Sequence, residues 1–305
     1  MEIKTVSIVG LGALGVLFGD HLSKRIPREN LHIVADSDRI LKYRRDGVFC
    51  NDVPCDFNYI TPDEILCPAD LLIIAVKYSD LPAVIEASRN QVGKETVILS
   101  LLNGISSEET IGQAFGMDKM LYSVAQGMDA VKVGNRLTYK NMGKICFGAA
   151  SPDERSEKVE AVKQFFEKTA LPHEVVADMR KRLWSKFMLN VGVNQTSAVF
   201  GCDYGGLQNG GPARSTMLAA MEEAMLLSEK EGVNLTQADI EYWLRILDGL
   251  NPQGKPSMLQ DIEAKRHSEV DLFSGTVLAL GRKHGLTFPI NQMLYGKLKA
   301  MESTF

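Results

Sequence analysis

Three polar residues recur at four-residue spacing in an otherwise apolar stretch: Lys186, Asn190 and Asn194 in LWSKFMLNVGVNQTSAVF, residues 183–200. On a helix, steps of four drift by only about 40° around the axis, so the three side chains form one narrow stripe. Phe187, Met188, Leu189, Val191 and Val193 take the other directions, which marks the helix as buried. An unpaired buried polar group costs roughly 1–3 kcal/mol, so an ammonium and two carboxamides on such a helix require partners. A polar ligand in a cleft meets that need, with the lysine as cation and proton donor and the carboxamides as orienting groups. The plainer reading sends Lys186 to solvent along its aliphatic stem and pairs the asparagines with neighbouring helices.

A second stretch of this kind is PSMLQDIEAKRHSEVD, residues 256–271, after a loop at Gly249–Pro256. It offers the Ser257 hydroxyl and the Glu269 carboxylate. Ser257 also reads as a helix N-cap with Gln260 as its capping-box partner, and Arg266, Glu269 and Asp271 as a solvated face.

The N-terminus carries a different chemistry. Lys4 to Val9 is β-branched and apolar, GLGALG follows at once, and Ala13 to Lys24 has helical periodicity. Strand, glycine turn and helix are the context that the dinucleotide-binding fingerprint requires. Gly10 permits the tight turn, Gly12 lets backbone approach a pyrophosphate, and Gly15 lets helix pack on strand. The first helical residues, Ala13 and Leu14 with Gly15, carry amides suited to phosphate oxygens. A second strand, Leu31–Ala35, ends at Asp36. An acid there accepts from the ribose hydroxyls of NAD, or simply caps the helix that begins near Ser37. Arg39, Lys42, Arg44 and Arg45 follow, and any of them suits a 2′-phosphate instead. Two further apolar runs, Asp70–Val76 and Thr96–Leu102, end in Lys77 and Asn103-Gly104, on the same edge as the glycine turn. Asn103-Gly104 is equally a common turn pair.

The elements that position these groups follow from the pattern. Continuous apolar runs predict parallel strands covered on both faces. Between Leu121 and Gly148 the short runs LYSVAQ, RLTYKN and KICFG predict an antiparallel extension of the sheet. SPDERSEKVEAVKQFFEKTA predicts an amphipathic helix capped by Ser151, and Glu174–Val176 one last strand. From Asp178 onward the texture is helical, with breaks at Gly201–Gly211, Gly249–Pro256 and His284–Pro289. The expected architecture is an α/β, Rossmann-type dinucleotide-binding domain over 1–177 and an all-α substrate and catalytic domain over 178–305. At 305 residues, two domains are the natural expectation.

Composition narrows the partners. A net charge of −4 argues against nucleic acid or an anionic membrane. No apolar run reaches the ~20 residues of a membrane span, and the first residues lack the pattern of a secretory signal. Five cysteines with no CxxC pair, and five scattered histidines, make no metal constellation and no disulfide scaffold. A cytoplasmic protein with reduced thiols, acting on a small molecule, is expected; a homodimer is allowed.

These stretches, in order and over essentially the whole chain, resemble the ketopantoate reductase family: GLGALG, the strand-end Lys77, LNG at Leu102–Gly104, the lysine segment and PSMLQDIEAKRHSEVD. The resemblance implies NAD(P)H-dependent reduction of 2-dehydropantoate to pantoate. It implies Lys186 as the catalytic lysine, with Asn103, Asn190, Asn194 and Ser257 on the substrate. It also implies Glu269 as the site's carboxylate and Lys77 and Asn103 near the nicotinamide end of the cofactor. A protonated lysine answers the charge that hydride addition develops on a carbonyl oxygen. Glu269 accepts from the distal hydroxyl of the substrate and favours the charged form of Lys186. Two positions depart from the family. Many members carry an arginine for the NADP phosphate where Asp36 stands, so the resemblance implies NADPH while Asp36 leans to NADH. Lys265 replaces a glycine common in the family motif. The rival readings are a related dehydrogenase of another 2-keto or 3-hydroxy acid, and a non-catalytic NAD(P)-binding sensor.

Overall fold

Four-residue apolar runs, too short for helices and buried on both faces, build the centre of the first half of the chain. The computed structural model describes residues 1–150 and 156–305 and divides into two units, Met1–Arg180 and Lys181–Phe305. In the first unit the strands are β1 (Val6–Val9), β2 (Leu31–Val34), β3 (Phe49–Cys50), β4 (Val53–Pro54), β5 (Asn58–Ile60) and β6 (Leu71–Ile74). They continue with β7 (Val97–Ser100), β8 (Met120–Gln126), β9 (Val131–Val133), β10 (Arg136–Thr138), β11 (Lys144–Gly148) and β12 (His173–Val175). The helices between them are α1 (Ala13–Ser23), α2 (Ser37–Asp46), α3 (Leu81–Ala87), α4 (Ser107–Phe115) and α5 (Glu157–Lys168).

Among the described residues the main sheet has eight strands in the order β12-β11-β8-β7-β6-β1-β2-β5. From β5 to β8 all neighbours run parallel, with Val6 of β1 opposite both Leu31 and Leu71. The chain leaves β1 toward β2 and β5, then returns to β6 on the other side of β1. That reversal is a topological switch point, and ligands of such sheets bind at the carboxyl ends of the strands beside it.

The expected antiparallel extension over Leu121–Gly148 is corrected in two places. LYSVAQ (within β8) runs parallel to β7, because α4 crosses between the two strands. RLTYKN, whose first three residues form β10, leaves the main sheet altogether and pairs with β3 and β9 in a small sheet of order β4-β3-β10-β9. Only KICFG (β11) is antiparallel to β8, and β12 then adds parallel to it. The β3–β4 hairpin went unread; its signal is Asn51-Asp52, both at positive φ (46° and 63°), as a tight hairpin turn requires. The cap expected at Ser151 lies outside the described residues; α5 starts at Glu157, with Ser156 at its N-cap position.

The second unit is helical: α6 (Met179–Phe200), α7 (Tyr204–Gln208), α8 (Pro212–Lys230), α9 (Gln237–Asp248), α10 (Ser257–Glu263), α11 (Thr276–His284) and α12 (Pro289–Glu302). A π-helical turn, Asp271–Gly275, leads into α11. The expected break at Gly201–Gly211 thus holds one short helix, α7. Proline occupies the first turn of α8 and α12, where its missing N–H costs nothing, and Thr236 with Asp239 makes a capping box at α9. A buried polar network ties three helices together. The Glu223 carboxylate of α8 accepts from the Ile290 and Asn291 N–H groups at the start of α12, at 2.9 Å each, and from the Asn291 amide at 2.8 Å. The Asn291 carbonyl in turn receives the Ser274 hydroxyl at 2.8 Å, and Gln195 of α6 accepts from Ser274 N–H at 3.1 Å.

Candidate active site

The three glycines of the N-terminal motif are needed for three separate reasons. Gly10 sits at φ +97°, and a Cβ there would lie 2.6 Å from the Ala75 carbonyl oxygen. Gly15 packs so closely on the Gly10 carbonyl that a side chain would overlap it. Gly12 has neither constraint: it is exposed, and the nearest atom to an added Cβ is 3.6 Å away. Its bareness leaves an open approach to the start of α1. The first intrahelical bond of α1 runs from Val16 N–H to Gly12 O at 3.1 Å, so the amides of Ala13, Leu14 and Gly15 precede the helical ladder. Beside this turn lies a cleft of about 280 Å³ at the carboxyl ends of β1, β2 and β6, with Val9, Val34, Val76 and Val84 among its apolar walls. Apolar walls and bare amides suit the adenosine and the pyrophosphate of a dinucleotide, so the residues present fit that cofactor.

Asp36 takes the N-cap position of α2. One carboxylate oxygen accepts from Arg39 N–H at 2.8 Å and the other lies 3.4 Å from Arg39 Nε. Asp36 and Arg39 both line the cleft, whereas Arg45 turns to Asp46 at 2.7 Å. Lys77 is exposed and precedes a single 3₁₀ turn, three residues after β6 ends. Asn103 follows β7 and is half-buried, and Gly104 beside it has φ +93°.

Shortly after the Asn103-Gly104 turn comes a group with no signal in the sequence. Glu108, in the first turn of α4, is 1% exposed. Its Oε2 accepts from Ser107 Oγ at 3.0 Å, Ser107 Oγ lies 2.8 Å from Ser100 Oγ, and Leu102 N–H reaches Ser100 Oγ at 3.5 Å. Oε1 makes no hydrogen bond. Burial pushes this carboxyl up to about 7, against the pull of its own backbone N–H and the Ser107 hydroxyl. In sequence, SSEET reads as an ordinary exposed helix start.

In the second unit, α6 carries the polar stripe as its spacing predicts. Asn190 and Asn194 are buried, and the Asn194 amide donates to the Asn190 carbonyl oxygen at 3.3 Å. Lys186 is half-buried one turn earlier on the same line. Two other polar groups of α6 serve packing. Ser185 accepts from the indole N–H of Trp243 at 2.7 Å, and Gln195 joins the Ser274–Asn291 network. At Gly192 any side chain would collide with Met221, so the glycine lets α8 approach.

Ser257 is the first residue of α10, exposed, with Pro256 at the N-cap position. The expected capping box is absent: the Gln260 amide donates to Lys255 O at 2.9 Å. Glu269 is half-buried and opens the turn into the π-helical segment, its carbonyl accepting from Leu272 and Phe273 N–H at 3.0 and 3.1 Å. Close to it in sequence, Arg266 pairs with Asp261 at 2.8 Å, and Asp271 with Tyr295 and Lys299 at 2.7 and 3.1 Å. Lys265 adopts φ +51°, the left-handed conformation that glycine takes without strain. Among the described residues no group of His, Cys, Asp or Glu side chains could hold a metal ion.

Comparison with known proteins gives a consistent result. A family model described as ketopantoate reductase PanE/ApbA matches residues 6–152, and its C-terminal counterpart matches residues 178–302. A 2-dehydropantoate 2-reductase of Streptococcus pyogenes is 26% identical over 304 residues, covering 98% of each chain. Two solved structures share the fold. A PanE/ApbA family ketopantoate reductase from Ralstonia eutropha has a TM-score of 0.84 at 22% identity, over 98% of this chain and 99% of that one. D-mandelate dehydrogenase with NADH and anilino(oxo)acetate has a TM-score of 0.85 at 20% identity, over 98% of each chain.

Proposed function

This chain belongs to the ketopantoate reductase family, and from that premise we propose that it reduces 2-dehydropantoate to pantoate with a reduced nicotinamide coenzyme. The observation that carries the reading is the stripe on α6: a lysine one turn from two buried, mutually bonded asparagines, on a helix whose Ser185 and Gln195 are taken up in bonds to other segments. The coenzyme, when bound, supplies the hydride; the first unit holds it through the Gly10–Gly15 turn and the cleft beside Asp36. Lys77 and Asn103 would hold its nicotinamide end, as the family resemblance implies.

The chain's own residues do the rest. Addition to the 2-keto group places negative charge on the carbonyl oxygen, and the Lys186 ammonium stabilises that charge and delivers a proton to it. The Asn190–Asn194 bond fixes both carboxamides, so they meet the substrate carboxylate already oriented. Ser257 and Asn103 add a hydroxyl and a carboxamide to the substrate contacts, and Glu269 accepts from the distal hydroxyl. The second reading keeps this chemistry and changes the substrate to another 2-keto acid. The fold shared with D-mandelate dehydrogenase favours it. A 3-hydroxy acid belongs to the same alternative.

Lys186→Ala tests the assignment. The variant is expected to lose roughly 2–4 kcal/mol of transition-state stabilisation, read as kcat/KM, while the dissociation constant of the reduced coenzyme changes little. A variant within a few-fold of the parent removes Lys186 from the chemistry.

A further inference from the structure

Behind Glu269 stands a buried carboxylate that the proposed chemistry does not use. Glu302, in the last turn of α12, is 5% exposed. Ser268, the residue before Glu269, donates twice to its Oε1: from the backbone N–H at 2.8 Å and from the hydroxyl at 2.6 Å. Oε2 faces Lys299 Nζ at 3.5 Å and His267 Nδ1 at 3.6 Å. Burial pushes the Glu302 carboxyl up, but the Ser268 hydroxyl and N–H, Lys299 and His267 outweigh it and hold it below the usual range. The acceptor is therefore charged at neutral pH, and hydrogen bonds to a charged acceptor are the stronger kind.

The grip ties this connection to α12, whereas the bonds just before it are local: Lys265 N–H to Ile262 O at 3.0 Å, Arg266 N–H to Asp261 O at 2.9 Å, and Lys255 to Glu263 at 2.7 Å. Glu263 to His267 are all exposed, and Lys265 among them is left-handed. Immediately after Glu269 the π-helical turn begins, with Leu272 and Phe273 buried. Ser268 thus joins this exposed, locally bonded connection to α12 just before Glu269. A side chain whose backbone is pinned loses less freedom on meeting a ligand, which strengthens any hydrogen bond it makes there.

We propose that Glu302 is a positioning residue for Glu269: by holding Ser268 it fixes the Glu269 carboxylate, and so sets the preference for 2-keto acids that carry a distal hydroxyl. The inference rests on the reading of Glu269 as the acceptor for that hydroxyl. It assigns a role to the end of α12, which no motif in the sequence announces.

The test uses the full chain and two substrates, 2-dehydropantoate and 3,3-dimethyl-2-oxobutanoate, which lacks only the distal hydroxyl. Glu302→Ala is expected to raise KM for 2-dehydropantoate roughly tenfold, about 1.4 kcal/mol. Its kcat stays within about threefold, and KM for the shorter acid and the coenzyme dissociation constant hold. Glu302→Gln should restore most of the loss, because its carboxamide oxygen still accepts from Ser268. Where Glu302→Ala does not fold, Ser268→Ala keeps the backbone bond, loses the hydroxyl bond and should show a smaller rise of the same selectivity. Equal losses for both acids, an unchanged KM, or a Gln variant no better than Ala overturns the proposal. Glu269→Ala separates the two layers. If it leaves the hydroxyl preference intact, the reading of Glu269 fails and the inference with it. If it abolishes the preference while Glu302→Ala preserves it, only the role of Glu302 fails.

Discussion

Asp36 performs the plainer of its two expected roles and remains placed for the other. Its cap bond to Arg39 N–H anchors the carboxylate at the rim of the cleft, where a 2′-phosphate would meet a like charge. The parent is therefore expected to bind NADH at least as tightly as NADPH. Asp36→Asn is the sharper variant, because asparagine still caps the helix while the charge is gone. Equilibrium titration of both reduced coenzymes should show the ratio moving toward NADPH by roughly tenfold, about 1.4 kcal/mol. A parent that already binds NADPH tenfold more tightly would mean that Arg39 governs the site. At this scale the α6 stripe was readable because all three of its members sit on one helix, at a spacing that only the helical period explains. Glu302 and Glu108 were not readable. Ser268, the donor to Glu302, lies 34 residues away in sequence, and Glu108 sits in a run that composition alone assigns to the surface.

Elements with a strong local signal appear where the sequence predicts them, and those whose form depends on a distant partner do not. Strands β1, β6 and β7 are largely apolar and buried on both faces, as central strands are. The direction of β8 depends on α4 crossing before it, and β3, β4 and β10 are too short to declare their partners. Helix α4 also carries a testable consequence of burial. Glu108 ordinarily ionises near 4.5 and is held up to about 7 in the folded chain. Below the lower value both states keep the proton and stability is whole. As pH rises between the two values the folded chain binds the extra proton and stability falls, by about 3 kcal/mol once pH exceeds the folded pKa. Urea unfolding at pH 5 and pH 8 should show this fall in the parent and its loss in Glu108→Gln. The same fall in both proteins would mean that Glu108 is already ionised in the folded chain.

Over the whole molecule, the proposed site residues fall in both units, which read differently even in composition. The first unit supplies the glycine turn, the Asp36 cleft and the strand-end residues Lys77 and Asn103. The second supplies Lys186, the two asparagines, Ser257 and Glu269. The two family models match residues 6–152 and 178–302, and no helix among the described residues is long and apolar enough to cross a membrane. The central claim is that the keto acid reduced is 2-dehydropantoate. The direct measurement is kcat/KM for 2-dehydropantoate beside a panel of other 2-keto acids, with NADH and with NADPH, followed at the nicotinamide absorbance. The account predicts that 2-dehydropantoate exceeds every other acid by at least tenfold with the better coenzyme, about 1.4 kcal/mol of transition-state discrimination. Turnover of an aryl or other 2-keto acid with none of 2-dehydropantoate, or coenzyme binding with no turnover at all, would contradict it.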